Sequence, residues 1–261
     1  MTEKMHLLID EFHRLGGEEN RRTSGERQFA FSVEMAINEI YLPEFQVCDI
    51  RVLPPGHTFP GLENFIPLYH FLYHEFILSQ GGFGSAPEPY HMPIRNAYNW
   101  VVGEIPGGVL IGDGSLLNKD TTNWAPWENP VGSNADSLRM LRITTALRRG
   151  VGKNFLVYGR MLKPANISGI RMMRWQENGK DHQIPAVFHA AWQSPDGEYA
   201  LTLANWTNEP QEVVVKDSRL GETITQVIAA EDTETLVRGT QSGTLRVTLP
   251  ALSCGMLINR P

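Results

Sequence analysis

The chain has 261 residues and a formal net charge of −6, without the Lys/Arg surplus or basic run that phosphate neutralisation demands, so nucleic acid is excluded as a partner. Hydrophobic residues at 41% and charged residues at 20% match ordinary globular usage and exclude a disordered or fibrous chain. This length accommodates one large domain or two of ordinary size.

In chain order, the first predicted element is an amphipathic helix over residues 1–15. Met5, Leu7, Leu8, Ile9, Phe12 and Leu15 are interleaved with Glu3, Lys4, Asp10, Glu11 and Arg14, and Gly16-Gly17 is expected to stop it. The pattern is not that of a charged n-region followed by an apolar h-region, so no signal peptide is expected and the chain as it stands reads as cytoplasmic. No apolar run approaches eighteen residues, so no membrane partner is expected. Residues 28–33 read as a buried strand ending at Glu34. A short helix over 35–42 precedes Pro43, and 47–53 form a second strand stopped by Pro54-Pro55-Gly56. The apolar segment 65–78 is expected to turn helical, and the glycines of 81–84 with the prolines of 87–93 make a loop.

Helical spacing over 95–102 is followed by the buried run 109–111, closed by Gly112-Asp113-Gly114. Residues 133–149 read as a helix with a cap at Ser133 or Asn134, an apolar face of Leu138, Leu141, Ile143, Ala146 and Leu147, and Arg148-Arg149 suited to its C-terminal dipole. From Pro164 onward the pattern changes to short strands near 186–192, 199–205, 212–215, 235–237, 244–249 and 254–258, separated by turns such as Pro195-Asp196-Gly197. The expected fold is therefore α/β plus all-β. Residues 1–163 form the closing strands and helices of a (β/α)8 barrel, and residues 164–261 form an antiparallel β-sandwich that closes its own core.

Barrels place their active sites at the C-terminal ends of their strands. Glu34 stands at such an end, positioned either as a general acid, base or nucleophile or as a helix cap or arginine partner. Asp113 sits among glycines that let a ligand approach the backbone, or simply in a turn. Tyr69, Tyr73, His74 and Glu75 combine aromatic faces with hydrogen-bonding groups as a sugar site does, though burial of the tyrosines and a satisfied histidine explain the same cluster. Trp124 and Trp127, beside Asn118 and Asn123, suit stacking on pyranose faces or plugging of a barrel rim. The histidines show no metal-ligand spacing and the glycines no phosphate-binding loop, so neither metal nor cofactor is expected. Cys48 and Cys254 are expected to be reduced and buried. The sequons at Asn166 and Asn205 carry no weight.

Four stretches together resemble a bacterial glycoside-hydrolase-like family, catalogued chiefly as a domain of unknown function, in which a barrel precedes a β-sandwich. They are 31–42 (FSVEMAINEIYL), 66–76 (IPLYHFLYHEF), 154–164 (NFLVYGRMLKP) and 199–208 (YALTLANWTN). The resemblance implies a strand-end glutamate followed by a second one, here Glu34 and Glu39, with a carbohydrate as partner. A complete barrel takes about 250 residues, so residues 1–163 supply only its later strands. The chain is expected to be a fragment, or to self-associate or recruit a partner that completes the barrel. Two functions follow as expectations. One is glycoside hydrolysis by a carboxylate pair, with Glu34 as one member and Asp113 or Glu39 as the other. The alternative is a non-catalytic carbohydrate-binding or structural fragment.

Overall fold

The computed structural model describes residues 2–24, 30–34, 39–50, 67–81, 91–106, 134–177, 179–221, 223–230, 233–240 and 244–259. Helix α1 (Thr2–Ser24) runs straight through Gly16-Gly17, against expectation. Arg14 pairs with Glu18 across the two glycines at 2.8 Å, and Arg22 Nε reaches back to Glu19 at 2.8 Å. Such i,i+3 and i,i+4 pairs offset part of the helix-breaking cost of glycine.

Three strands, β1 (Ser32–Glu34), β2 (Val47–Ile50) and β3 (Leu78–Gly81), form a parallel sheet in the order β1-β2-β3. Between β2 and β3 lies α2 (Leu68–Tyr73), and after β3 comes α3 (His91–Val101). Ile105 then makes a parallel bridge to Gln80, its N–H donating to Ser79 O at 2.8 Å. This alternation is the βαβ grammar that parallel strands require. The segment 65–78, expected to turn helical, holds α2 and ends where β3 begins at Leu78. The N–H of Leu78 donates to Gln46 O at 3.1 Å, so sheet pairing overrides the local helical pattern. Helix α3 begins four residues earlier than the spacing of 95–102 implied, at His91, with Pro93 tolerated because first-turn N–H groups have no intrahelical partner. The expected strand 109–111 lies outside the described residues.

Helix α4 (Asn134–Arg149) follows the expected bounds. Its buried stripe is Met140, Ile143, Thr144 and Leu147, and Ala146 faces solvent, so the buried face is rotated from the one expected. After α5 (Lys153–Leu156) the chain is built from strands. They are β4 (Arg160–Leu162), β5 (Ile167–Ser168), β6 (Met172–Glu177), β7 (Lys180–Pro185), β8 (Val187–Gln193), β9 (Tyr199–Asn205), β10 (Gln211–Val215), β11 (Thr223–Ala230), β12 (Thr233–Thr240), β13 (Leu245–Leu249) and β14 (Ser253–Asn259). The pairs are antiparallel throughout. A six-stranded sheet has the order β12-β11-β14-β9-β8-β4, a three-stranded one the order β13-β10-β5, and β6-β7 form a hairpin.

Both faces of the six-stranded sheet are covered. One face packs Val187, Leu201, Leu203 and Leu257 against Val213, Val247 and Leu249 of the smaller sheet. The other packs Phe188, Trp192, Ala204 and Met256 against Ile94, Trp100 and Val101 of α3 and Met140 and Leu147 of α4. Hence β9 is buried at every position, and its sequence YALTLAN lacks the polar/apolar alternation of a one-sided strand. The indole N–H of Trp192 donates to Val101 O at 3.0 Å, and that of Trp100 donates to Leu203 O at 3.2 Å, fastening α3 to the sheet. The strand-rich part thus closes one core between its two sheets and shares a second with α3 and α4.

Candidate active site

The parallel sheet aligns three polar residues near its carboxyl ends. Glu34, the last residue of β1, is in register with Asp49 of β2, and Asp49 is in register with Gln80 of β3. Adjacent strands stand about 4.8 Å apart, so the register brings two carboxylate-bearing positions within one strand spacing. One residue earlier, Cys48 is fully buried against α2, its Sγ 3.9 Å from Tyr69 Oη. Strand alternation therefore puts position 49 on the sheet face turned away from α2. Burial pushes the Cys48 thiol up to about 11, which leaves it protonated and inert near neutrality.

The remaining predicted residues are scattered. Glu39 is exposed in the turn before the 3-10 helix Leu42–Glu44. Asp113, Trp124 and Trp127 lie outside the described residues. Tyr69 and Tyr73, with ring centroids 5.0 Å apart, pack on the small cluster of Leu42, Cys48 and Ile77. His74 is buried, with Nε2 3.2 Å from Leu156 O and its ring edge-on to Trp192 at 4.7 Å. Burial, followed by the nearby Arg148 and His70, pulls its pKa down to about 3. Glu75 is exposed and lines a shallow cleft with Tyr158, Arg160 and Gln193.

Beside the strand ends lies a buried polar network that sequence reasoning did not anticipate. Glu104 is wholly enclosed; its Oε1 accepts from His70 Nε2 at 2.8 Å. The hydrogen-bond pattern assigns the Asn99 amide nitrogen toward Glu104 Oε2 at 2.7 Å. Arg95 and Arg148, both buried, are offset by the same carboxylate. Burial lowers Arg148 to about 10 and Glu104 acts in the opposite sense; the balance on Arg95 is of the same kind. Arg148 Nη1 donates to Gly103 O at 2.6 Å. Gly103 has φ +77°, and a Cβ there would come within 2.7 Å of Trp192 Cη2 and 2.8 Å of His74 Cε1. The network holds α2, the end of α3 and α4 together and so sets where β3 and Ile105 begin. Its available signal was the glutamate flanked by Val101, Val102, Gly103 and Ile105, a carboxylate in an apolar setting. Asp49 carried a similar signal, set between Val47, Cys48 and Ile50.

Among the described residues, no group of three or more His, Cys, Asp or Glu could hold a metal ion, and no helix is long and apolar enough to cross a membrane. No protein-family model and no curated protein matches the chain. Among solved structures the chain is similar to several glycoside hydrolases. A putative alpha-galactosidase from Bacteroides fragilis is 11% identical with a TM-score of 0.45, over 97% of this chain and 51% of that one. A GH30 endoxylanase from Clostridium papyrosolvens is 8% identical with a TM-score of 0.42, over 95% and 61%. A GH51 arabinofuranosidase from Xanthomonas axonopodis pv. citri is 11% identical with a TM-score of 0.40, over 95% and 63%. The chain therefore spans less than two thirds of each of these proteins, and at these scores the likeness assigns it no activity.

Proposed function

We propose that the protein is glycoside-hydrolase-like and acts on a carbohydrate through a carboxylate pair, with Glu34 as one member and Asp49 as the other. The observation that carries this reading is the register of Glu34 with Asp49 at the carboxyl ends of two adjacent parallel strands, where parallel α/β sheets build their sites. The sequence resemblance supports Glu34 independently. One carboxylic acid protonates the departing glycosidic oxygen while the other carboxylate acts at the anomeric centre, directly as nucleophile or as the base that activates water. Asp49 takes the place first given to Asp113 or Glu39, both of which stay secondary candidates. Residues 1–163 are read as the closing part of a (β/α)8 barrel and 164–261 as a β-sandwich behind it.

Hydrolysis of a panel of aryl glycosides tests the reading. Glu34→Gln and Asp49→Asn are each expected to lower kcat/KM at least about 100-fold. Wild-type kcat/KM in Glu34→Gln removes Glu34 from catalysis. Saturable oligosaccharide binding without turnover by the wild-type chain favours the non-catalytic carbohydrate-binding alternative.

A further inference from the structure

At Leu162 β4 leaves the six-stranded sheet, and after Pro164 and Ala165 the chain re-enters regular structure as β5 of the other sheet. The β6-β7 hairpin intervenes before the chain returns to the six-stranded sheet as β8. At this crossing lies a cavity of about 890 Å3, walled by Tyr98 and Val101 of α3 and Val102 just after it, by the crossing segment, and by Val187, Phe188, His189 and Ala190 of β8. Successive side chains of a strand point to opposite faces, so a cavity reached by four consecutive residues runs along the strand's edge. β4 covers that edge only opposite Ala191–Gln193. Along 187–190 no strand pairs with it among the described residues.

No Asp, Glu, Lys or Arg is among the described lining residues. The polar members are Asn166, Ser168, Gln183, His189 and Tyr98, set among proline, aliphatic and aromatic side chains. His189 Nδ1 is buried without a partner, and burial pulls the imidazole down to about 4, so it is neutral at pH 7. A charged guest would lose its hydration with no counter-charge to replace it. A flat molecule with apolar faces and hydrogen-bonding groups on its rim meets no such cost, and the volume falls in the range of roughly 300–1,000 Å3 typical of small-molecule sites.

We propose that this cavity binds an uncharged small molecule with apolar faces and hydroxyl or carbonyl groups on its rim, held edge-on against β8. The site is separate from the strand-end carboxylates and does not depend on the hydrolase reading.

Calorimetric titration at pH 7 with 2-naphthol and with 2-naphthoate, the same ring bearing a carboxylate, tests the proposal. The expected result is saturable one-to-one binding of 2-naphthol, with 2-naphthoate at least tenfold weaker. Ser168→Trp, at an exposed lining position where a larger side chain does not disturb the core, is expected to abolish binding while the circular dichroism and Tm stay as in the wild type. His189→Leu, which keeps the bulk but removes the ring nitrogens, is expected to weaken 2-naphthol several-fold. Absence of saturable 2-naphthol binding, equal affinity for the two compounds, or wild-type binding in Ser168→Trp overturns the proposal.

Discussion

His70 Nε2 donates to Glu104 Oε1 at 2.8 Å with both side chains sealed from solvent, so a hydrogen bond between α2 and the segment after α3 lies at the centre of the polar network. Removing a buried carboxylate leaves the guanidinium groups that it offsets uncompensated, which costs about 3–5 kcal/mol. Glu104→Leu removes the carboxylate that offsets the burial of Arg95 and Arg148. Its urea midpoint should fall by an amount equivalent to about 3–5 kcal/mol, whereas Glu104→Gln, which keeps an acceptor, should lose less. Equal stability of wild type and Glu104→Leu in urea titration would show that the network adds nothing.

Stability should also decline in mild acid. His74 is held neutral in the folded protein, its pKa pulled from 6.5 to about 3 by burial. The unfolded chain therefore binds a proton there that the folded chain does not, and unfolding free energy rises with pH between those two values. The contribution is complete above pH 6.5 and is lost as the pH falls toward 3; between pH 7 and pH 5 it amounts to about 2 kcal/mol. His189, lowered to about 4, acts in the same direction. Denaturation curves at both pH values should show a smaller difference for His74→Phe than for the wild type, because the His74 contribution is gone while that of His189 remains.

Gly103 is where backbone and packing constraints meet. Its φ of +77° disfavours any side chain, and a Cβ would meet Trp192 and His74 rings that are themselves buried. Gly103→Ala is expected to cost more than about 2 kcal/mol, with Tm measured by calorimetry. A Tm within a degree of wild type is the contrary outcome.

A fragment of residues 164–261 is expected not to fold alone. Without α3, α4 and β4, the face carrying Phe188, Trp192 and Met256 would be exposed, and large contiguous apolar patches drive association. Size-exclusion chromatography should find the fragment aggregated, and the full chain should resist protease in α3, α4 and the strands alike. Trp192→Ala in the full chain, which opens a cavity between sheet and helices, should cost about 3–5 kcal/mol. A monomeric, cooperatively unfolding fragment is the result that speaks against the shared core.

Local pattern was enough to place α4 and, to within a residue or two, strands β8, β9, β10, β13 and β14, because each contains an uninterrupted stretch whose residues favour one conformation. It was also enough to put Glu34 at a strand end. The helix expected within 65–78 is α2, but β3 after it was not read as a strand, because its sheet partner from elsewhere in the chain decides that outcome. The β6-β7 hairpin and β11 were likewise not anticipated. Asn205 shows the same limit: its sequon is uninformative in sequence, yet the folded amide is buried and donates to Glu209 O at 2.8 Å and Pro250 O at 2.7 Å. The pairing of Glu34 with Asp49, the joining of His70 to Glu104 across 34 positions and the sharing of one core by α3, α4 and the six-stranded sheet are properties of register and packing. Periodicity reports which face of an element is apolar, but the partner that covers that face is set by long-range contacts that no local window contains.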